Sequence, residues 1–300
     1  MSMTARWRFR NARNAAIASL MARIMASFLM LLLLSGLAVP PAAADAPRPQ
    51  RIVSMNQCTD LLLLMLAPPE RIASISFVSR QPQWTPPEYA SEIARLPVNH
   101  GGAEKILTLK PDLIVTARYS GTQTVQTLER LGYQVAEFDA ESSFADIRSN
   151  IRKMGRLVGE EARAESIVAA FDARLSAIEA KAHENAGIFA DVGVNGWMSG
   201  EGTLMAEAAN AAGYQTLGQK LGVSGFANLS LEQIVAAHPD VVAMSNAWTH
   251  PPSEATDALR HPAFKALGKT ATFIDIPDRL TVCGSPDILD AVEMIARAKP

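Results

Sequence analysis

The 300-residue sequence predicts an α/β fold: two Rossmann-like lobes with parallel sheets, joined by one long rigid α-helix, with a ligand cleft between the lobes. Three observations carry this expectation. Short apolar strands alternate with helix-period segments beyond position 50. One helix–turn–strand unit occurs twice, as AEKILTLKPDLIVTA at 103–117 and LEQIVAAHPDVVAMS at 231–245. At an offset of 128, Glu104 matches Glu232, Ile106 matches Ile234, Pro111 matches Pro239 and Asp112 matches Asp240. Between the copies, residues 162–182 form a helix with Ile167, Phe171, Leu175 and Ile178 on one face. About 20 residues rising 1.5 Å each span about 30 Å, enough to bridge two lobes. The expected boundaries are an N-terminal lobe over 51–158, the bridging helix over 159–185 and a C-terminal lobe over 186–300.

The first 44 residues read separately. Residues 1–23 hold five Arg and no acid, an apolar run follows over 24–39, and Pro40, Pro41 and Ala42 to Ala44 close it. Basic, apolar, then small is the order of a secretory signal peptide, expected to be cleaved after Ala44. The run of 16 residues is shorter than the roughly 20 needed to span a bilayer. No Cys follows it, so a lipid anchor is not indicated. Residues 45–50 read as a loose leader. Cleavage would leave 23 Lys and Arg against 30 Asp and Glu, an acidic chain outside the cytoplasm. Such a balance offers nothing to neutralise a phosphate backbone, so no nucleic-acid partner is expected.

Ile52-Val53-Ser54 opens the fold as a strand, and Thr59-Asp60 starts a Leu-rich helix to Leu66, stopped by Pro68-Pro69. A strand is expected over 71–77 and an extended loop over 79–102. Then come a helix over 104–109, a strand over 113–116, a helix over 123–131 ended by Gly132, and a strand over 135–138. Phe144, Ile147, Ile151, Met154 and Val158 mark one helical face before Gly159 interrupts. After the bridging helix the pattern predicts strands over 188–194, 241–245 and 271–276, and helices from Thr203 and from Pro286.

Parallel lobes take ligands outside the carboxyl ends of their strands. The loops expected there hold Asn56, Arg80, Trp84, His100, Arg118 and Tyr119 in the first lobe, and Trp197, Trp248, His250 and Arg279 in the second. Aromatic faces with a few cations suit a large, flat, partly anionic ligand. Cys58 and Cys283 also fall near the cleft, either bonded or as free thiols. A bond would tie lobes that must admit a bulky ligand, so the expectation leans to free thiols. Asp139 and Glu141 read as caps of the helix beginning near Phe144.

The opening RIVSMNQCTDLLLLML, the paired segments EKILTLKPDLIV and LEQIVAAHPDVV, the helix between them and the closing CGSPDILDAVE resemble type III periplasmic binding proteins. These are the substrate-binding components of ABC importers for cobalamin, haem and ferric siderophores. The resemblance covers about residues 50–298. It implies a periplasmic monomer that is not an enzyme and delivers a bulky chelate to an inner-membrane permease dimer. No resident cofactor or metal is implied; iron or cobalt would arrive inside the ligand. It also implies that Glu104 and Glu232, one per lobe, dock onto the permease. From the residues alone these two read as carboxylates favoured by helix dipoles, with Ser230 and Glu232 resembling a local cap.

Two other function classes fit the sequence less well. An extracytoplasmic α/β hydrolase would need a nucleophile, but Ser54, Ser120, Ser199 and Ser245 lie in no Gly-x-Ser-x-Gly elbow. A zinc or metal-ion carrier would need about four converging ligands. Only His100 and His250 are placed near the cleft; His183, His238 and His261 are expected to face solvent.

Overall fold

The structure, a computed structural model, describes residues 47–183, 185–244 and 261–298. The expected signal peptide and its cleavage site, Trp248 and His250 lie outside the described residues.

Two parallel sheets form the frame. The first joins β1 (Ile52–Ser54), β2 (Ile72–Ser76), β3 (Val98–Asn99), β4 (Leu113–Ala117) and β5 (Val135–Phe138) in the order β3-β2-β1-β4-β5. The second joins β6 (Gly187–Asp191), β8 (Tyr214–Thr216), β10 (Val241–Met244) and β11 (Thr272–Asp275) in the order β11-β10-β6-β8. With β6 set against β1, β8 against β2, β10 against β4 and β11 against β5, the two orders coincide, and β3 is an extra edge strand. Ile52, Val53, Leu113, Ile114 and Val115 are all buried, as strands covered on both faces must be.

The repeated Pro-Asp turn has the same task in both lobes. Asp112 accepts hydrogen bonds from the backbone N–H of Gln50 (2.6 Å) and Arg51 (2.9 Å), at the start of β1. Asp240 accepts one from Ile188 (2.7 Å), near the start of β6. Two residues before each Asp, Lys110 and His238 share a left-handed backbone with φ of 47°. Each carboxylate therefore joins the entry of one strand to the entry of its neighbour.

Helix α1 (Gln57–Leu66) begins two residues earlier than predicted, because Asn56 is its cap: the Asn56 Oδ1 accepts from Cys58 N at 2.8 Å. Thr59 and Asp60 lie within the first turn and are buried, as is every residue to Leu66. The predicted loop over 79–102 instead holds α2 (Ala90–Arg95) and β3, elements too short for periodicity to reveal. Helices α3 (Ala103–Thr108), α4 (Thr122–Arg130) and α5 (Phe144–Val158) follow as expected. Gly159, at φ 70°, ends α5 in a conformation other residues resist, and α6 (Glu161–Glu179) turns back along it. The second lobe adds α7 (Leu204–Ala211), α8 (Leu217–Lys220), α9 (Leu231–Ala236), α10 (Pro262–Leu267) and α11 (Ile288–Arg297). A short antiparallel ribbon, β7 (Trp197–Ser199) with β9 (Phe226–Asn228), was not foreseen.

The main core does not stop at the lobe boundary. One buried cluster runs from Leu62 and Ile75, through Ile151 on α5 and Phe171 and Leu175 on α6, to Ala208 and Val292. On the surface, Arg174 of α6 binds Asp290 (2.5 Å) and Glu293 (2.8 Å) of α11. No helix among the described residues is long and apolar enough to cross a membrane.

Candidate functional site

A hollow of about 440 Å³ lies between the lobes, at the carboxyl ends of β5, β6, β10 and β11. The first lobe contributes Ala140 to Ser142, and the second Asp191, Trp197, Ser199, Phe226 and Val282. A larger, open groove of about 860 Å³ runs past Asn185, Gly187, Asn210, Gln215 and Gln219. That groove lies at the entry of β6 and the edge strand β8, away from where parallel sheets bind ligands, so the smaller hollow is the candidate site.

Its second-lobe wall is the ribbon. Trp197 stacks on Phe226 with ring centroids 5.2 Å apart and planes 18° apart, and the two remain 47% and 56% exposed. Beside them the half-buried Asp191 accepts the Ser199 N–H with its two oxygens, at 3.1 and 3.2 Å. Burial pushes the Asp191 carboxyl up to about 6.

Strand-end loops of the first lobe are held from below. The buried Asn99 donates to Ser54 O (2.8 Å), Ser74 Oγ (2.8 Å) and Ile75 O (3.1 Å). Asp60, fully buried, accepts from Ser76 N (3.0 Å) and Ser79 Oγ (2.7 Å). Burial raises its carboxyl to about 7, against those stabilising bonds. On this base Phe77 stacks on His100 at 4.5 Å. Tyr119 is 88% exposed with φ at 70°, an uncommon conformation for an aromatic residue.

The lobes meet beneath the cleft. Cys58 and Cys283 form a disulfide with Cα atoms 5.2 Å apart, which corrects the leaning toward free thiols. The objection that a bond would hinder ligand entry fails, because the shared core already joins the lobes. Next to it Glu141 accepts from Asn150 Nδ2 (2.6 Å) and from Gly284 N across the lobes (3.2 Å). A Cβ on Gly284 would come within 2.3 Å of the Glu141 side chain, so only glycine permits this approach. Desolvation raises the Glu141 carboxyl.

Several expected roles change. Helix α5 is capped by Ser143, whose Oγ accepts from Asp146 N at 3.1 Å, and not by Asp139 or Glu141. Asp139 instead binds Arg118, which also meets Glu137 at 3.6 Å, so that cation is spent within its own lobe. The Arg118 hydrogen bond holds the Asp139 carboxyl below its usual range. Arg80 donates to Leu96 O at 2.7 Å. Trp84 is half-buried, and it shares a narrow crevice with Arg279 and Cys283. Asn56, besides capping α1, donates to Ser120 Oγ at 3.2 Å. Glu104 and Glu232 are exposed at the second positions of α3 and α9. The capping box of α9 pairs Ser230 with Gln233, not Glu232. His183, His238 and His261 are exposed.

The sequence reading missed Phe77, Phe226 and Asp191. Phe77 ended a predicted strand one residue short of its loop, Asp191 fell inside a predicted strand, and no element was expected around Phe226. Among the described residues no three His, Cys, Asp or Glu converge as a metal site.

Comparison with known proteins agrees with this architecture. The family described as "Periplasmic binding protein" matches residues 52–215. The ABC transporter substrate-binding lipoprotein YvrC of Bacillus subtilis is 23% identical over 266 residues, 83% of this chain and 80% of that protein. A cobalamin-binding protein of Halobacterium salinarum is 25% identical over 228 residues, and the chain spans 62% of its length. Among solved structures, the heme-binding protein RhuT of Roseiflexus sp. RS-1 superposes with a TM-score of 0.67 at 21% identity, over 82% of this chain and 98% of that one. The vitamin B12 binding protein BtuF of Vibrio cholerae gives 0.62 at 19% identity, over 83% and 96%. At such identities the likeness is one of fold.

Proposed function

Because the chain belongs to the periplasmic binding protein family, we propose that it captures a bulky metal chelate outside the cytoplasm and hands it, unchanged, to the permease of an ABC importer. The family and its structural neighbours are binding proteins rather than enzymes. The observation that carries the reading is the Trp197–Phe226 stack, left half in water beside a 440 Å³ hollow. Exposed stacked aromatics next to a cleft mark a place where a flat ligand face removes them from solvent. Haem and the corrin ring of cobalamin offer such a face. The metal is cargo within the ligand. Glu104 and Glu232, exposed on equivalent helices, are the proposed docking charges for a two-fold symmetric permease.

Tryptophan fluorescence of the purified protein, titrated with hemin, cyanocobalamin and a ferric hydroxamate, tests the proposal. Saturable quenching by at least one, without chemical change of the ligand, is expected. No response from any of them, or hydrolysis of a ligand, overturns it.

A further inference from the structure

The charge of the cleft carries a step beyond ligand size. Of the described residues lining the 440 Å³ hollow, the charged ones are Glu141 and Asp191; none is Lys, Arg or His. The nearby cations are committed elsewhere. Arg118 is held by Asp139 and Glu137, and Arg80 by Leu96 O. Arg279 lines the separate crevice beside Trp84 and Cys283. Residues 245–260, outside the described residues, hold Arg260 and His250 against Glu254 and Asp257 in sequence. Glu141 is occupied by Asn150 and Gly284. Asp191 is held by hydrogen bonds from Ser199 and from its own backbone, all local to the ribbon, and a carboxylate's four lone-pair sites leave acceptor capacity next to the aromatic wall.

We propose that Asp191 makes this cleft selective for a planar chelate whose rim offers hydrogen-bond donors, such as amides, and against one whose rim carries carboxylates. The inference rests on the chelate-binding reading above and narrows it. An amide on the rim donates a charge-assisted hydrogen bond to Asp191, while a carboxylate brought to the same place meets a like charge in a partly water-excluded site. Selectivity therefore comes from repulsion of the wrong rim as well as attraction of the right one.

The test uses two probes that share one macrocycle, dicyanocobinamide with an amide rim and cobyrinic acid with a carboxylate rim, plus hemin. Wild-type protein is expected to bind the amide rim at least tenfold more tightly than the carboxylate rim. Asp191→Asn keeps the acceptor for Ser199 N and removes the charge, so it is expected to narrow that ratio at least tenfold, mainly by gaining the carboxylate ligand. In wild-type protein the ratio is also expected to narrow as ionic strength rises from about 0.05 to 0.5 M, a readout that needs no variant. Equal affinity for both rims, a preference for hemin over both corrinoids, or a ratio unmoved by the substitution and by salt overturns the inference while leaving chelate binding intact. Silence toward these probes and toward the ferric hydroxamate overturns both.

Discussion

Asp60 combines a charge with full burial. Its oxygens meet the Ser76 amide and the hydroxyls of Ser79 and Ser54, with no ion-pair partner among the described residues. Because its carboxyl is raised from 3.8 to about 7, the folded state holds the proton more tightly than the unfolded chain. The stability it contributes is whole below about pH 4 and is lost as pH rises through about 7. Asp60→Asn keeps an acceptor for Ser76 N without the charge. The variant is expected to gain on the order of 2–4 kcal/mol over wild type at pH 8 and little at pH 4.5, read from urea midpoints at both. An equal shift at the two pH values would remove the charge as the cause. Trp197 is the opposite kind of residue, contributing contact area rather than core volume. Trp197→Ala is expected to weaken chelate binding by about 1–3 kcal/mol while unfolding stays cooperative. Lost stability with unchanged affinity would make it a packing residue.

At the scale of elements, the ribbon and helix α9, proposed to dock, are continuous. Strand β9 carries Phe226, and the chain passes through Leu229 and the capping Ser230 directly into α9 with Glu232. The matching helix α3 carries Glu104 ahead of the same Pro-Asp turn. Exposed interface charges act through encounter and register more than through the distant ligand. The double variant Glu104→Arg with Glu232→Arg is therefore expected to keep ligand affinity within about two-fold, roughly 0.4 kcal/mol, and to abolish uptake through the cognate importer. Uptake at the wild-type rate would sink the docking role. A large loss of affinity would move the two residues into the binding site.

The whole molecule is tied across the lobes in several ways. They share the core around α6, the Arg174 pairs with α11, the Glu141–Gly284 contact and the disulfide. The disulfide spans 225 residues of sequence. Closing so long a loop restricts the unfolded chain by about 5 kcal/mol in the chain-entropy account, an upper figure for what the bond contributes. Cys58→Ser with Cys283→Ser is expected to lower unfolding free energy by about 2–5 kcal/mol in urea, with a single transition, because the core still joins the lobes. Two separate transitions in the variant would mean that the bond alone made the lobes unfold together.

Periodicity and the internal repeat were enough to read two parallel lobes and a bridging helix, because these are local or pairwise patterns. Phe144 to Val158 show their helical face without any neighbour, and Asp112 and Asp240 announce equivalent turns by spacing alone. The elements that shape the site were not legible in this way. Strands β7 and β9 are three residues each, too short for alternation to register, and their pairing depends on partners 29 residues apart, Met198 and Ala227. The fate of the cations was equally hidden: Arg118 reads as a free charge in sequence, and Asp139 reaches it only because β4 and β5 lie side by side. So it was with Cys58 and Cys283, whose meeting depends on how α1 and α11 approach the shared core. Local pattern specifies which segments form helices and strands. Which charges remain unpaired, and which aromatics remain in water, is set by contacts between segments distant in sequence.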